Sequence, residues 1–441
     1  MSEYADIKIG NMSLCWFRNY VSPDIVSKIF NKGNLYTIEN YVVDPEDEDS
    51  ESIIKYYYKT TVNDAKDRLD AQGYTLSKLE NIFKDNMLRA IDYSPFLDHL
   101  RIDYDFQYDK AKERIHKYKI TFKKWENSIK KIANYMFTHG NFYEEIKGLK
   151  ESIGINTECD KIIYYSLLDD DNAESFYSLD TEIIDKAYII RLILESFDVN
   201  EEIILDFTYL QFWDDDCVTK AIAATEDVEK TIVLVEGTSD KDILEFAISQ
   251  LYPHLSDLFY FMDFGDNNGK RDGGTSYVVK NLKTFYFSKI KRNFIAIFDN
   301  DAEGYQSKCI LLNDIKQWPS NFKILLYPDI DLFKKYPTIL PNGEIVLDNI
   351  CKKAASIELY LPDSIIKNGN DYLPVEWESR KKIKINGKDE LIYQGVISEK
   401  ETIKNKFHEI KNDILDNKYE FTNEEWYRMK ILLESIVFAY C

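Results

Sequence analysis

Residues 231–244, "TIVLVEGTSDKDIL", and residues 294–304, "FIAIFDNDAEG", each set a carboxylate directly after a short apolar run. The first run gives way to Glu236, the second to Asp299 and, two residues on, Asp301. Such runs are too short for buried helices and read as buried strands. The pattern continues outward: "KDILEFAISQLY" (241–252) is an amphipathic helix, "LFYFMDF" (258–264) a strand, and "SYVVKNLKTFYFSKI" (276–290) a helix. Beyond the aspartates, "AEGYQSKCILLNDI" (302–315) is a helix and "FKILLYP" (322–328) a strand. Short apolar runs alternating with amphipathic helices make βαβ units, so this part is an α/β domain: a Rossmann-like parallel sheet with helices on both faces. Its bounds are set at 228–365.

The residues before it, 1–227, form an α-rich α+β domain with a short β portion at its start, where "ADIKIG" alternates and "IIKYYYKTT" is rich in β-formers. Gly73 ends one helix there, and Thr75 or Ser77 with Glu80 opens the next as a capping box. The acidic stretch Asp44 to Glu51 is a solvated loop, and "WDDDC" (213–217) is a helix start or linker. Residues 366–441 form a small helical tail.

A chain of 441 residues, 44% hydrophobic and 30% charged, suits two or three soluble domains. It holds no uninterrupted apolar stretch of the roughly eighteen residues a membrane span needs, and its opening lacks the signature of a signal peptide, so a cytoplasmic location and no membrane partner are expected. The six cysteines lie far apart and fit neither a zinc site nor a disulfide framework. A net charge of -21 argues against indiscriminate coating of nucleic acid while leaving room for a local basic groove.

In a parallel sheet the reactive residues gather at the carboxyl ends of the strands, which places Glu236 and Asp299 on one rim. Asp301 shares that direction if the segment stays extended. Three carboxylates together repel, and a divalent cation removes that cost. Oxygen donors without His or Cys select Mg²⁺, with Mn²⁺ as a substitute, and magnesium prefers to share its shell with phosphate oxygens. Gly237 and Gly304, each close behind a carboxylate, leave room for a tight turn and a close approach. "GDNNGKR" (265–271) lacks the spacing of a phosphate-binding P-loop, although Lys270 and Arg271 can reach a backbone phosphate. Lys280, Lys283, Lys289, Lys291 and Arg292, with Phe285, Tyr286 and Phe287 among them, make a basic and aromatic patch, read either as a nucleic-acid track or as a solvated helix face.

"VEGTSDKDIL", "IAIFDNDAEG" and then "AASIELYL" (354–361) together resemble the Toprim domain of topoisomerases, bacterial primases, small-RNA maturases and nucleases of the overcoming-lysogenization-defect type. The glutamate of "SIELYL", Glu358, and the aspartate four residues after Glu236, Asp240, resemble the nuclease branch. The opening "MSEYADIKIGNMSLCWFRNYV" and the helical first half resemble bacterial HEPN/Toprim-associated proteins found with antiphage defence genes. The resemblance implies a Mg²⁺-dependent nuclease, cutting DNA or RNA with two ions about 4 Å apart. Glu236, Asp299, Asp301, Asp240 and Glu358 would be its catalytic set, with Glu236, Asp299, Asp301 and Glu358 on the metal. It also implies a nucleic-acid partner, and leaves open a homo-oligomer or an associated ATPase. Active HEPN ribonucleases carry Arg, four to six residues, then His, and none of the five histidines here has that Arg. The first half is therefore structural or substrate-reading. Two rival readings stand beside the nuclease: a non-catalytic defence sensor or scaffold that holds nucleic acid or a nucleotide, and a topoisomerase- or primase-like enzyme, for which no arch tyrosine or zinc-binding part stands out.

Overall fold

The computed structural model describes residues 3–42, 52–83, 121–139, 185–226, 228–262, 274–385, 388–419 and 422–441. The chain divides into two compact units, Met1–Val228 with Cys441, and Glu229–Tyr440. The acidic stretch Asp44 to Glu51, together with Lys270 and Arg271, lies outside the described residues.

The first unit is built on an antiparallel sheet of β1 (Tyr4–Ile9), β2 (Met12–Arg18), β3 (Leu35–Val42), β4 (Ser52–Thr61) and β5 (Glu202–Asp206), in the order β2-β1-β5-β4-β3. In β1 the alternation read from "ADIKIG" puts Ala5, Ile7 and Ile9 in the core and Tyr4, Asp6 and Lys8 on the other face. The helices α1 (Pro23–Ile29), α2 (Val62–Ala71), α3 (Phe122–His139) and α4 (Lys186–Ile193) each add residues to this core. Thr61 caps α2 through its hydroxyl and the Asp64 amide, and Gly73, at φ 88°, turns the chain out of it. The Thr75 hydroxyl then accepts from the Lys78 amide, the start expected there. "WDDDC" does open a helix, α5 (Asp215–Ile222), with Asp214 accepting from the Asp216 amide at 3.0 Å. The β portion is not confined to the start: β5 comes from "EEIILDF", far down the helical stretch, and pairs between β1 and β4. A five-residue strand following a helix has too little length to announce its period.

The second unit centres on a parallel sheet of β6 (Thr231–Leu234), β7 (Phe259–Met262), β8 (Phe294–Phe298) and β10 (Phe322–Leu326), in the order β10-β8-β6-β7. These are the four apolar runs, and β8 is buried at every position. The intervening helices are α6 (Thr238–Leu251), α7 (Thr275–Phe287) and α8 (Ala302–Asp314), with the two-residue strand β9 (Asn300–Asp301) leading into α8. Val278, Leu282 and Leu311 of α7 and α8 pack on Leu234, Ala296 and Phe298 of the sheet.

A second, mixed sheet joins β11 (Tyr336–Ile339), β12 (Ile345–Asp348), β16 (Val375–Ile385) and β17 (Lys388–Ile397), in the order β12-β11-β16-β17. Between them lie the short strands β13 (Ala354–Ala355), β14 (Lys367–Asn368) and β15 (Asp371–Tyr372). Residues 366–441 are thus not a helical tail. They hold the short β14–β15 pair and the long antiparallel β16–β17 pair, and only then form α9 (Lys400–Leu415) and α10 (Tyr427–Val437), both inside the second unit. The sequence holds an Asn-Gly dipeptide, a pair that favours two-residue hairpin turns, but the charges in "ESRKKIKINGKDE" mask the alternation around it. α6 packs against this C-terminal part, with Phe246 against Trp426 and Phe407 at ring distances of 5.9 and 5.8 Å. No helix among the described residues is long and apolar enough to cross a membrane.

A buried carboxylate cluster as the candidate functional site

β6 and β8 are neighbours in the parallel sheet, Leu234 pairing with Ala296, so the residues that follow them leave the sheet side by side. Glu236 Oε1 accepts a hydrogen bond from the Asp299 amide at 3.1 Å, which ties the two strand ends together. The Glu236 carbonyl accepts from the Gly274 amide at 2.9 Å. Asp301 ends β9 and caps α8, accepting from the Gly304 amide at 2.7 Å through Oδ1 and from Gln394 Nε2 at 2.7 Å through Oδ2. Asp240, in the first turn of α6, folds back to accept from the Gly237 amide at 3.0 Å.

Glu358 arrives from further along the chain. β13 pairs with β9, Ala354 opposite Asp301 and Ala355 opposite Asn300, and the chain then enters a 3₁₀ turn over Ile357–Tyr360. There Glu358 is 1% exposed, accepting from the Ser356 hydroxyl at 2.7 Å and paired with Lys400 Nζ at 3.0 Å. All five carboxylates singled out in the sequence therefore belong to one region of the second unit.

The energetics show how unfavourable this gathering is. Burial, and then the charges of Asp301 and Asp240, push the Glu236 carboxyl up to about 8. Burial, then Glu358, push Asp240 up to about 7 against the pull of Lys400. Asp299 stands well above the usual carboxylate range, through burial and then the charges of Glu236, Asp240, Asp301 and Glu358. Burial, followed by the charges of Asp240, Asp299 and Glu236, also raises the nearby Tyr327 hydroxyl. Lys400 answers them: burial disfavours its charge, but Glu358, Asp299 and Asp240 outweigh this and hold it above the ordinary lysine value.

Asp299 is the exception to the hydrogen bonding. Its Oδ1 is buried and has no hydrogen-bond partner, a state that costs free energy unless something positive faces it. Among the described residues, no three His, Cys, Asp or Glu side chains stand as a ready-made metal-ligand set. The region is a knot of oxygen donors held by amides, Gln394 and Lys400, in which Asp299 Oδ1 and Gln394 Oε1 are buried without a hydrogen-bond partner.

Three contributors carried no sequence signal. Lys400 and Gln394 reach the cluster from the part read as a helical tail, and Asn300, 1% exposed, holds the two aspartates' backbone in place. Asn300 does so by donating to Asp329 at 2.7 Å and accepting from the Lys352 amide at 2.7 Å. The spacing Asp-Asn-Asp hinted only at the outer pair. Removing the cation paired with Glu358, Lys400→Met, leaves Glu358 buried with a hydroxyl alone. The expected cost is about 2 kcal/mol, below the full value for a buried pair because Lys400 is itself partly exposed. Urea unfolding measures this, and Lys400→Arg is expected to recover most of it.

The basic patch is more dispersed than its sequence. Phe285 and Tyr286 pack against the core, Lys283 pairs with Asp314, and Arg292 lies 3.6 Å from Glu229. Lys280 and Lys291 are exposed. The two glycines also differ. Gly237 is extended, and a Cβ there would make only an ordinary contact with Asp240 Oδ2 at 3.8 Å, whereas a Cβ on Gly304 would meet the Asp299 carbonyl oxygen at 2.2 Å.

No curated protein and no solved structure matches the chain. Residues 1–214 match the family model described as HEPN/Toprim N-terminal domain 1, which supports the HEPN/Toprim-associated resemblance read from the opening residues and the helical first half.

Proposed function

We propose that the second unit is a divalent-metal-dependent nuclease that cleaves nucleic-acid phosphodiester bonds, and that the protein serves bacterial antiphage defence. The observation that carries this reading is the buried, unpartnered Asp299 Oδ1 set among Glu236, Asp240, Asp301 and Glu358. Burial and mutual repulsion raise the carboxyls of Glu236, Asp240 and Asp299, a cost that a divalent cation would remove, and hard oxygen donors of this kind suit Mg²⁺ or Mn²⁺. Glu236, Asp299 and Asp301 would hold the ion, with Asp240 and Glu358 completing its surroundings. Bound there, it would supply Lewis acidity toward a phosphoryl oxygen.

The chain's own residues do the positioning. The Asp299 amide orients Glu236, the Gly304 amide and Gln394 fix both oxygens of Asp301, and Asn300 locks the backbone between the aspartates. Lys400 brings a fixed positive charge to the acid cluster, suited to offset charge that develops on a phosphoryl group. The first unit, whose sequence lacks the Arg and His spacing of active HEPN ribonucleases, would read substrate or control access.

One observation favours a second reading, a non-catalytic binding module: every carboxylate except Asp299 Oδ1 already has a protein partner, and no ready-made ligand set stands among the described residues. The experiment is cleavage of plasmid, single-stranded DNA and tRNA in MgCl₂ or EDTA by the protein and by Glu236→Gln. The nuclease reading expects Mg²⁺-dependent cutting that falls at least about 100-fold in the variant while binding persists. A protein that cuts none of the three substrates supports the binding module.

A further inference from the structure

We infer that Lys308 and Lys352 form a phosphate-binding site for a nucleic-acid strand, next to Asp301. The direction of this track, toward the carboxylates, rests on the nuclease reading, while the site itself stands on separate observations.

α8, capped by Asp301, carries Tyr305, Lys308 and Cys309 at i, i+3 and i+4, so the three share one face. Lys308 is half-buried there, and burial together with the charge of Lys352 holds its pKa below the ordinary lysine value. No carboxylate pairs with Lys308 or Lys352 among the described residues. A chain with 77 acidic residues against 56 basic ones has no shortage of carboxylates to place beside them. The charge of Glu390 reaches Tyr305 and Cys309 on this face, but the two neighbouring ammonium groups have no carboxylate paired with them among the described residues, and an anion is what relieves them.

Lys352 is also presented rather than trailing. Its backbone is left-handed, at φ 59°, a conformation a lysine adopts at a cost. Its amide donates to Asn300 Oδ1 at 2.7 Å, and its ammonium lies 5.1 Å over the Tyr305 ring. Lys353 pairs through its backbone with Asp301 and sets its ammonium 5.7 Å over Trp377, also 3.7 Å from Asp348. On the hairpin, Arg380 stacks 4.6 Å over Tyr393, whose ring lies 5.7 Å from that of Trp377. The adjacent Gln394 hydrogen-bonds Asp301. Cations seated on aromatic rings thus line the approach to Asp301, an arrangement that meets a phosphate backbone with charge and its bases with ring surface.

Binding is measured in EDTA, where metal-dependent cleavage is absent, by fluorescence anisotropy of a labelled single strand and of a duplex over a range of salt. The protein is compared with Lys308→Gln/Lys352→Gln, Lys352→Gln, Lys352→Arg and Glu236→Gln. The double variant is expected to bind at least about tenfold more weakly and to lower the slope of log K against log salt by about 1.4 on the single strand, two phosphate contacts' worth. Lys352→Gln alone changes an exposed side chain, does not threaten folding, and is expected to lower the slope by about 0.7, while Lys352→Arg and Glu236→Gln keep it. Unchanged affinity and slope in the lysine variants would overturn the site, as would a protein that binds neither strand nor duplex. Inorganic phosphate that competes as well as the oligonucleotide on a per-phosphate basis would overturn the strand as the ligand. Lysine-dependent binding without any cleavage in MgCl₂ keeps the site and removes the nuclease reading; cleavage with lysine-independent binding does the reverse.

Discussion

Gly304→Ala is expected to unfold the second unit far more easily than its size suggests, with a loss on the order of 3 kcal/mol. A Cβ there would sit 2.2 Å from the Asp299 carbonyl oxygen and 3.0 Å from Phe298 Cβ. Neither neighbour is the free end of a flexible side chain, so the first turn of α8 must move. Moving it stretches the Gly304 amide away from Asp301 Oδ1, a bond of 2.7 Å, and with it the whole Asp-Asn-Asp segment. Thermal unfolding should fall by roughly 6 to 12 °C. Gly237→Ala is the control: that residue is already extended, and its Cβ would meet only Asp240 Oδ2, at an ordinary 3.8 Å, so a change within about 0.5 kcal/mol is expected. Equal effects of the two substitutions would mean that the close approach at Gly304 does not govern the site.

The second large effect is on the pH dependence of stability without metal. Glu236 titrates near 8 when folded, against an ordinary value of 4.5, and Asp240 near 7 against 3.8. Between those limits the unfolded chain has released protons that the folded chain still holds. Stability therefore falls as pH rises from about 4 to 8, and levels off above. The loss is on the order of 5 kcal/mol, the two groups being coupled and sharing it. Urea unfolding in EDTA from pH 5 to 8.5 measures it. Glu236→Gln with Asp240→Asn should flatten the profile, because the amides keep the acceptors for Asp299 and Gly237 and lose the charge. Saturating MgCl₂ should restore stability at pH 8 in the unsubstituted protein alone. A metal-free protein that grows more stable toward pH 8 would show that the acids do not repel one another as described.

How much of this could be read from the chain follows from where each residue's partners lie. Glu236 and Asp299 were legible because each ends an apolar run, and β6 and β8 are neighbours that bring their ends together. Asp301 was legible from its spacing, although its extended neighbourhood shrinks to two residues before the helix begins. Glu358 entered only through resemblance, since nothing in "SIELYL" announces a buried 3₁₀ turn. Lys400 and Gln394 were illegible: a lysine at a helix start and a glutamine in a charged strand are ordinary surface residues until β16, β17 and α9 fold onto the sheet. In the first unit, β5 was lost because five residues after a helix do not establish a period, whereas the alternation of β1 was clear.

The contact between Gln394 and Asp301 spans 93 residues of chain, and the counter-ion of Glu358 waits for α9. Contacts so distant along the chain close late, after the strands they serve have paired. During synthesis the acids at the strand ends therefore emerge before the groups that steady them, and Asp301 and Glu358 reach their final surroundings only when residue 400 has joined the fold. A stretch cut just after the turn that carries Glu358 would keep every acid in the cluster and lose Lys400 and Gln394, so its chemistry should not be judged from such a fragment.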